Sequence, residues 1–212
     1  FVTGEIYHLY NRGVEKRRIF LKSEDYVRFV HDLWEFNDAS PATNTERRFQ
    51  RGLVIHEVPN RVFKPIVEIL AWCLMPNHYH LMLRQKVDDG ITLFMRKLGA
   101  GYTNGFNLKY ERVGPLFQGT FKAKHVKRQE HFLYLPHYIH LNPVDLIPGK
   151  NSSKDMLAFL DSYRWSSFLD YCGKKNFPSL LELSSVQEIL EFGESYRDDI
   201  TEWLRDGADE HV

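Results

Sequence analysis

The stretch Val67-Glu-Ile-Leu-Ala-Trp-Cys-Leu-Met-Pro-Asn-His-Tyr-His-Leu-Met-Leu-Arg84 decides how this 212-residue chain folds. Val67 to Met75 is apolar and β-prone, as expected of a central strand. Pro76-Asn77 turns the chain. His78 to Arg84 then alternates strictly, so the two runs predict a β-hairpin. Upstream, Glu5 to Tyr10 also alternates, with Ile6, His8 and Tyr10 on one face and Tyr7 and Leu9 on the other. It reads as a strand ended by Asn11-Arg12-Gly13. Ser23, followed by Glu24 and Asp25, opens a helix in which Tyr26, Phe29, Val30 and Leu33 recur at helical spacing to about Phe36. Downstream, Ile91 to about Tyr110 predicts a helix with Leu93, Phe94, Leu98, Tyr102 and Phe106 as its apolar face and Thr92 as its cap. Gly99 and Gly101 either weaken this helix or admit another backbone closely. Phe121 to Val126 is a last strand, and Gln129 to Leu141 a helix that stops before Asn142-Pro143. The fold class is therefore α+β, a ferredoxin-like split β-α-β-β-α-β antiparallel sheet followed by a further helix.

Asn37 to Arg51 is polar and reads as a loop, and Leu53 to Val58 as an extra short strand. Residues 150–212 look helical and acidic, with an aromatic-rich stretch from Ser162 to Cys172. The expected division is a body over 1–148 and an acidic helical C-terminal extension over 149–212. The formal net charge of zero hides an asymmetry: residues 1–150 carry 22 Lys+Arg and 15 Asp+Glu, residues 151–212 carry 6 and 13. A basic body suits a polyanion partner. The two cysteines, Cys73 and Cys172, are too few for a disulfide framework and fit no zinc spacing, so a reducing cytoplasm is expected. No apolar run approaches the ~20 residues of a membrane span.

Three groups of residues can carry chemistry. His78 and His80 lie two apart on a predicted strand and so present two imidazoles from one face. Alone, such a pair is also what a polar sheet face looks like. Tyr138 and Asn142 lie four apart and share a helix face. A tyrosine, with an ordinary pKa near ~10, is a poor nucleophile unless a cation stabilises the charge developing on its target. Two imidazoles and an amide oxygen form an open site that suits Mg²⁺ or Mn²⁺. The plainer alternative is a packing tyrosine followed by a helix-capping asparagine. The third group is basic: Arg12, Lys16 and Arg17 after the first strand, Arg84 at the end of the hairpin, and Lys122, Lys124, Lys127 and Arg128 around the last strand. With Tyr10, Phe117 and Phe121 nearby, these cations suit single-stranded nucleic acid.

Four motifs occur together and in order over residues 7–144. Tyr7-His-Leu-Tyr-Asn-Arg-Gly13, Ala71-Trp-Cys-Leu-Met-Pro-Asn-His-Tyr-His-Leu-Met-Leu83, Gly114-Pro-Leu-Phe-Gln-Gly-Thr-Phe-Lys-Ala-Lys124 and Tyr138-Ile-His-Leu-Asn-Pro-Val144 resemble the REP-associated tyrosine transposases, single-tyrosine nucleases of the HUH type. The resemblance implies that Tyr138 is the nucleophile and that His78, His80 and Asn142 hold a divalent metal. It implies a partner of single-stranded DNA carrying a hairpin from a palindromic repeat, cut and rejoined through a 5′-phosphotyrosine. Relatives include monomers and homodimers, and both remain open. Tyr134, one turn before Tyr138, is the rival nucleophile, but only Tyr138 has an asparagine four residues on. The chain departs from the family pattern at His137 and at Asp145-Leu-Ile147. A catalytically silent hairpin-DNA-binding module and a hydrolase acting through metal-bound water are the alternatives. Tyr163-Arg-Trp-Ser-Ser-Phe168 also looks family-like and reads as a packing segment, with Arg164 available to DNA.

Overall fold

A computed structural model describes residues 1–40, 63–149, 152–184 and 193–206. The predicted strand at Leu53–Val58 and most of the Asn37–Arg51 loop lie outside them. Among the described residues, four strands form one antiparallel sheet: β1 (Ile6–Arg12), β2 (Val67–Met75), β3 (His78–Gln85) and β4 (Lys122–His125), in the order β2-β3-β1-β4. Helices α1 (Ser23–Glu35) and α2 (Gly90–Lys109) supply the two crossovers of the split β-α-β-β-α-β pattern. Helix α3 (Gln129–Leu141) follows and runs into a 3₁₀ turn, Asn142–Leu146. Then come α4 (Ser153–Ser162), the short α5 (Phe168–Tyr171) and α6 (Glu194–Asp206).

The sheet has two covered faces, and strand alternation assigns residues to each. Tyr7, Leu9, Tyr79, Leu81 and Leu83 face α1 and α2 and share a core with Phe29, Leu33, Phe94, Leu98 and Tyr102. Met82 faces the other way, into a second core with Phe132, Leu135 and Ile139 of α3, Leu157 and Leu160 of α4, and Tyr196, Ile200 and Leu204 of α6. The described part of the C-terminal region thus completes the packing of the sheet. Strand β2 is buried on both sides, as its unbroken apolar run requires. The register with β3 shifts between Ile69 and Ala71. As a result Val67 and Ile69 face the first core, Leu70 and Ala71 both face the second, and Trp72 and Leu74 return to the first. One extra residue is what reverses the parity.

The free edge of β2 is closed by the segment Tyr163–Phe168. Trp165 and Ser167 exchange backbone hydrogen bonds with Leu74 and Trp72, and Tyr163 donates its hydroxyl to the Leu74 carbonyl at 2.6 Å. Pairing of this kind blunts an otherwise sticky sheet edge.

Element ends differ from the sequence reading in a few places. Strand β1 runs through Arg12, because Arg12 still pairs with His78 of β3. Helix α2 begins at Gly90 with Asp89 in the capping position, not Thr92. Gly90 packs against the Ile66 carbonyl, where a side chain has no room. No second backbone approaches Gly99 or Gly101: the Phe36 ring, a side chain, lies over the Cα of Gly101, and nothing crowds Gly99.

Asp25 ties the start of α1 to the end of α2. Its carboxylate accepts hydrogen bonds from the amides of Leu21 and Lys22 at 2.8 and 2.9 Å, from Lys109 Nζ at 2.6 Å and from the Tyr110 hydroxyl at 2.8 Å. Burial acts to raise its pKa, but the Lys109 ammonium, the two amides and the Tyr110 hydroxyl outweigh burial and hold it below the ordinary carboxylate value. A depressed carboxyl pKa adds stability above the unfolded value near ~4 that disappears as pH falls through the folded value. Asp25→Ala should therefore cost about 2–3 kcal/mol at neutral pH. Urea unfolding at pH 7 and pH 3 checks this, and the gap between variant and wild type should shrink at the lower pH.

Candidate functional site

The site forms where α3 crosses the second face of the sheet. Directly opposed residues on paired strands point to the same side. The register pairs Arg12 with His78 and Tyr10 with His80, and on the other side of β1 pairs Tyr10 with Lys122 and His8 with Lys124. One face therefore carries His78, His80, His8, Tyr10, Arg12, Lys122 and Lys124. Tyr138 lies above it. Its ring centroid is 5.5 Å from that of His80 and 5.8 Å from that of His8, edge-on to both. Tyr134 stacks against Tyr138 at 6.1 Å and is the farther of the two from the histidines along the helix. All these groups belong to one chain, so a single copy brings the tyrosine and the histidines together.

Hydrogen bonds on the far side of each imidazole decide what it presents. His78 Nδ1 lies 2.7 Å from Asn77 Oδ1, and the Asn77 amide is oriented by Nδ2 donating to the Lys16 carbonyl at 3.3 Å. His78 Nδ1 is thus the donor, and its Nε2 carries a lone pair. That Nε2 faces Asn142 Oδ1 at 3.5 Å. The Asn142 amide is oriented in turn by Nδ2 donating to the Tyr138 carbonyl at 2.7 Å. Two acceptors therefore look at each other across a gap. His80 Nδ1 pairs with His8 Nε2 at 2.8 Å. With His80 as donor, His80 too is left with an Nε2 lone pair.

The imidazoles are neutral. Burial and then the neighbouring Lys124 push His8 down to about 4. Burial, followed by His8 and His78, pushes His80 down to about 3. Burial lowers His78 against the opposing pull of Asn142 and Asp145. The Tyr138 hydroxyl is raised by burial, then by Tyr134, Asp145 and Tyr10, while its hydrogen bond with Asn142 acts the other way. Asp145, one of the positions that depart from the family pattern, thus acts electrostatically on both the tyrosine and the nearer histidine.

The donor set fits a divalent ion. Lone pairs of His78 and Asn142 that face each other 3.5 Å apart can both reach one ion at ~2.1 Å, and neutral imidazole is the ligating form. Among the described residues, no group of three or more His, Cys, Asp or Glu side chains could enclose a metal. An ion between His78 and Asn142, with the His80 ring centroid 5.1 Å from that of His78, would instead keep coordination positions open.

The basic residues fall into two sets. Arg12, Lys122 and Lys124 are exposed on the histidine face, and Lys127 and Arg128 stand exposed at the start of α3. Lys16 and Arg17 lie on the turn after β1, where Asn77 reaches the Lys16 carbonyl and Arg17 pairs with Glu15 at 3.4 Å. Arg84 sits six residues from His78, about 20 Å along β3 at ~3.4 Å per residue, and is engaged by Glu68 at 3.0 Å. The structure does not bring Arg84 to the site.

Two contributors, His8 and Asn77, carry no role in the sequence reading: the alternation of His8 with Tyr10 is a usable signal, and Asn77 reads only as a turn residue. Beneath the tyrosine lies a further anchor, the fully buried His140. Its Nδ1 meets the Tyr196 hydroxyl at 2.6 Å and its Nε2 the Ser167 hydroxyl at 2.7 Å. Ser167 also receives the Trp72 amide at 2.9 Å and can donate to the Trp72 carbonyl. The assignment that satisfies every group has Tyr196 donating to Nδ1 and Nε2–H donating to Ser167. Helix α3 is thereby fixed to α6 and β2 two residues beyond Tyr138.

Neither a family model nor a curated protein matches the sequence. The likeness lies in the fold. A REP-associated tyrosine transposase bound to a REP hairpin aligns over 86% of this chain and 87% of its own, with a TM-score of 0.52 and 16% identity. A Deinococcus radiodurans R1 protein provisionally described as a transposase aligns over 66% of this chain and 91% of its own at 16% identity, with a TM-score of 0.34. The first of these shows that the chain has the fold of a REP-associated tyrosine transposase.

Tyr196→Phe should cost about 1–3 kcal/mol, because the buried His140 Nδ1 loses its donor. Burial holds the His140 pKa well below its ordinary value. A histidine kept neutral by the fold adds stability above the unfolded value near ~6.5 that is lost as pH falls below it. Denaturant midpoints of wild type and Tyr196→Phe across pH 5–8 check both expectations.

Proposed function

We propose that this protein is a single-tyrosine transposase that binds hairpin-bearing single-stranded DNA and cleaves and rejoins it with Tyr138 as nucleophile. The observation that carries the reading is the placement of Tyr138 above His80 and His8, with Asn142 Oδ1 facing the lone pair of His78. The fold shared with a transposase bound to a REP hairpin supports it.

His78, His80 and Asn142 would hold Mg²⁺ or Mn²⁺, which supplies charge stabilisation for the scissile phosphate. His8 and Asn77 act behind the ligands, fixing tautomer and ring orientation. Arg12, Lys122 and Lys124 line the sheet face and neutralise backbone phosphates, with Lys127 and Arg128 at the helix start. The Tyr138 phenol loses its proton to solvent, its oxygen bonds to phosphorus, and the bond from phosphorus to the 3′-oxygen breaks. The released 3′-oxygen takes up a proton from solvent. The 5′-phosphotyrosine conserves the energy of the broken ester, so a new 3′-hydroxyl can reverse the step and join strands without ATP. Asn142 holds its oxygen toward His78 by donating to the Tyr138 carbonyl, which couples the ligand to the nucleophile's own helix turn.

Hairpin oligonucleotides from repeated palindromes, incubated with Mn²⁺, should give a protease-sensitive protein–DNA adduct with wild type and none with Tyr138→Phe. Binding with no adduct in either protein would leave a DNA-binding module, and cutting that persists in Tyr138→Phe would indicate attack by water. Calorimetry with Mn²⁺ alone should show affinity falling about 10–100-fold in His8→Ala and unchanged in Tyr138→Phe. Equal affinity in His8→Ala would remove its role behind His80.

A further inference from the structure

Tyr138 is the first of a row of rings that continues away from the histidines onto the C-terminal helix. Tyr134 stacks on Tyr138 with planes 19° apart. Trp203 of α6 meets Tyr134 at 5.2 Å. On its other side Trp203 lies flat against His137, 5.0 Å away and 14° from parallel. Large aromatic side chains this close to a filled core would ordinarily be covered. Yet Tyr134 is 48% exposed, Tyr138 38% and Trp203 37%. The row is also braced. His137 is buried behind Trp203, and Tyr196, one α6 face away, is hydrogen-bonded to His140. The rings are therefore held in place before anything binds, which lowers the ordering cost of a ligand that stacks on them.

The charge around the row says which part of a nucleotide it suits. Helix α6 carries Asp198, Asp199 and Glu202, and Asp199 Oδ2 is 4.0 Å from His137 Nε2. Phosphate is disfavoured on that side. Apart from Arg205 in the last turn of α6, the exposed cations near the row lie the other way: Lys127 and Arg128 at the start of α3, and Arg12, Lys122 and Lys124 on the sheet face. Arg128 is six residues from Tyr134, about 9 Å along the helix at ~1.5 Å per residue. A strand with its phosphates toward these cations would turn its uncharged bases toward the rings.

We propose that Tyr134 and Trp203 form a stacking subsite for an unpaired DNA base next to the nucleotide that Tyr138 attacks. The C-terminal helix would then supply part of the substrate site as well as part of the core. The subsite rests on the single-stranded DNA reading given above and adds to it the capture of unpaired nucleotides flanking the hairpin. Stacking on an exposed aromatic face tolerates any base, so the subsite contributes affinity and alignment in place of sequence readout.

The test compares a hairpin with unpaired flanking nucleotides, the same hairpin blunt-ended, and one whose flanking nucleotides are abasic. Binding is read by fluorescence anisotropy with wild type, Trp203→Ala, Tyr134→Ala and the ring-retaining Trp203→Phe. Trp203→Ala should weaken the tailed hairpin about 5–100-fold and leave blunt and abasic hairpins unchanged, with Trp203→Phe close to wild type. Wild type should itself lose a similar factor on the abasic tail, a comparison that does not depend on how any variant folds. Equal weakening of tailed and blunt hairpins by Trp203→Ala, or an abasic tail bound as tightly as an intact one, would overturn the subsite while leaving hairpin recognition standing. Failure of wild type to bind any of the three would overturn the DNA reading and the subsite with it.

Discussion

Strand β3 is hydrogen-bonded along both edges, to β1 and to β2, and the rest of the molecule depends on that double pairing. Because side chains alternate along a strand, a central β3 must serve two masters. Tyr79, Leu81 and Leu83 go to the core beneath α1 and α2, and His78, His80 and Met82 go to the opposite face. A slip of one residue would bury both histidines among the aromatic rings of the first core and turn Leu81 onto the polar half of the opposite face. The neighbouring β1 is held in the same phase, which brings His8 against His80. Strand β2 keeps its own phase by means of the irregularity at Leu70, where two consecutive residues face the second core.

The second face shows how a polar site and a core share one surface. Its half toward α4 and α6 is apolar and closed over by their side chains. Its half toward the hairpin turn carries imidazoles, a phenol and amide oxygens. Helix α3 spans both halves, burying Phe132, Leu135 and Ile139 while leaving Tyr134 and Tyr138 exposed. The position of Tyr138 is set from below by the His140 network, which bonds to α6 and to the edge of β2. The acidic C-terminal region is thus structurally joined to the helix that carries the tyrosine, although composition alone marks it as a separate piece.

Burial has opposite consequences for the two kinds of titratable group at the site. It keeps His8, His78 and His80 neutral, the form in which imidazole accepts a cation. It raises the Tyr138 hydroxyl, which makes the free phenolate less available, so the proposed attack would depend the more on a stabilised phosphate. The lone pairs of His78 and Asn142 that face each other are the local feature that a bound cation would resolve.

Much of the architecture could be read directly from residue order. Period-two alternation at Tyr7–Tyr10 and His78–Leu83, the apolar run at Val67–Met75, and the helix ending before Asn142-Pro143 report local preferences that survive packing, because each agrees with the face it must bury. His78 with His80, and Tyr138 with Asn142, were legible as pairs because each pair is set by spacing within one element. What joins the pairs was not legible. The register of β1 on β3 selects His8 as the partner of His80, the turn at Lys16 orients Asn77, and Ser167 and Tyr196 reach His140 from 27 and 56 residues away. Arg84 shows the converse: sequence places it on the same strand face as the histidines, six residues along, and only the geometry reveals that Glu68 holds it. Sequence by itself determined which residues share a face, since that follows from helix and strand periods. Tertiary structure alone decided which faces meet, since that depends on strand register and on contacts between residues far apart in the chain.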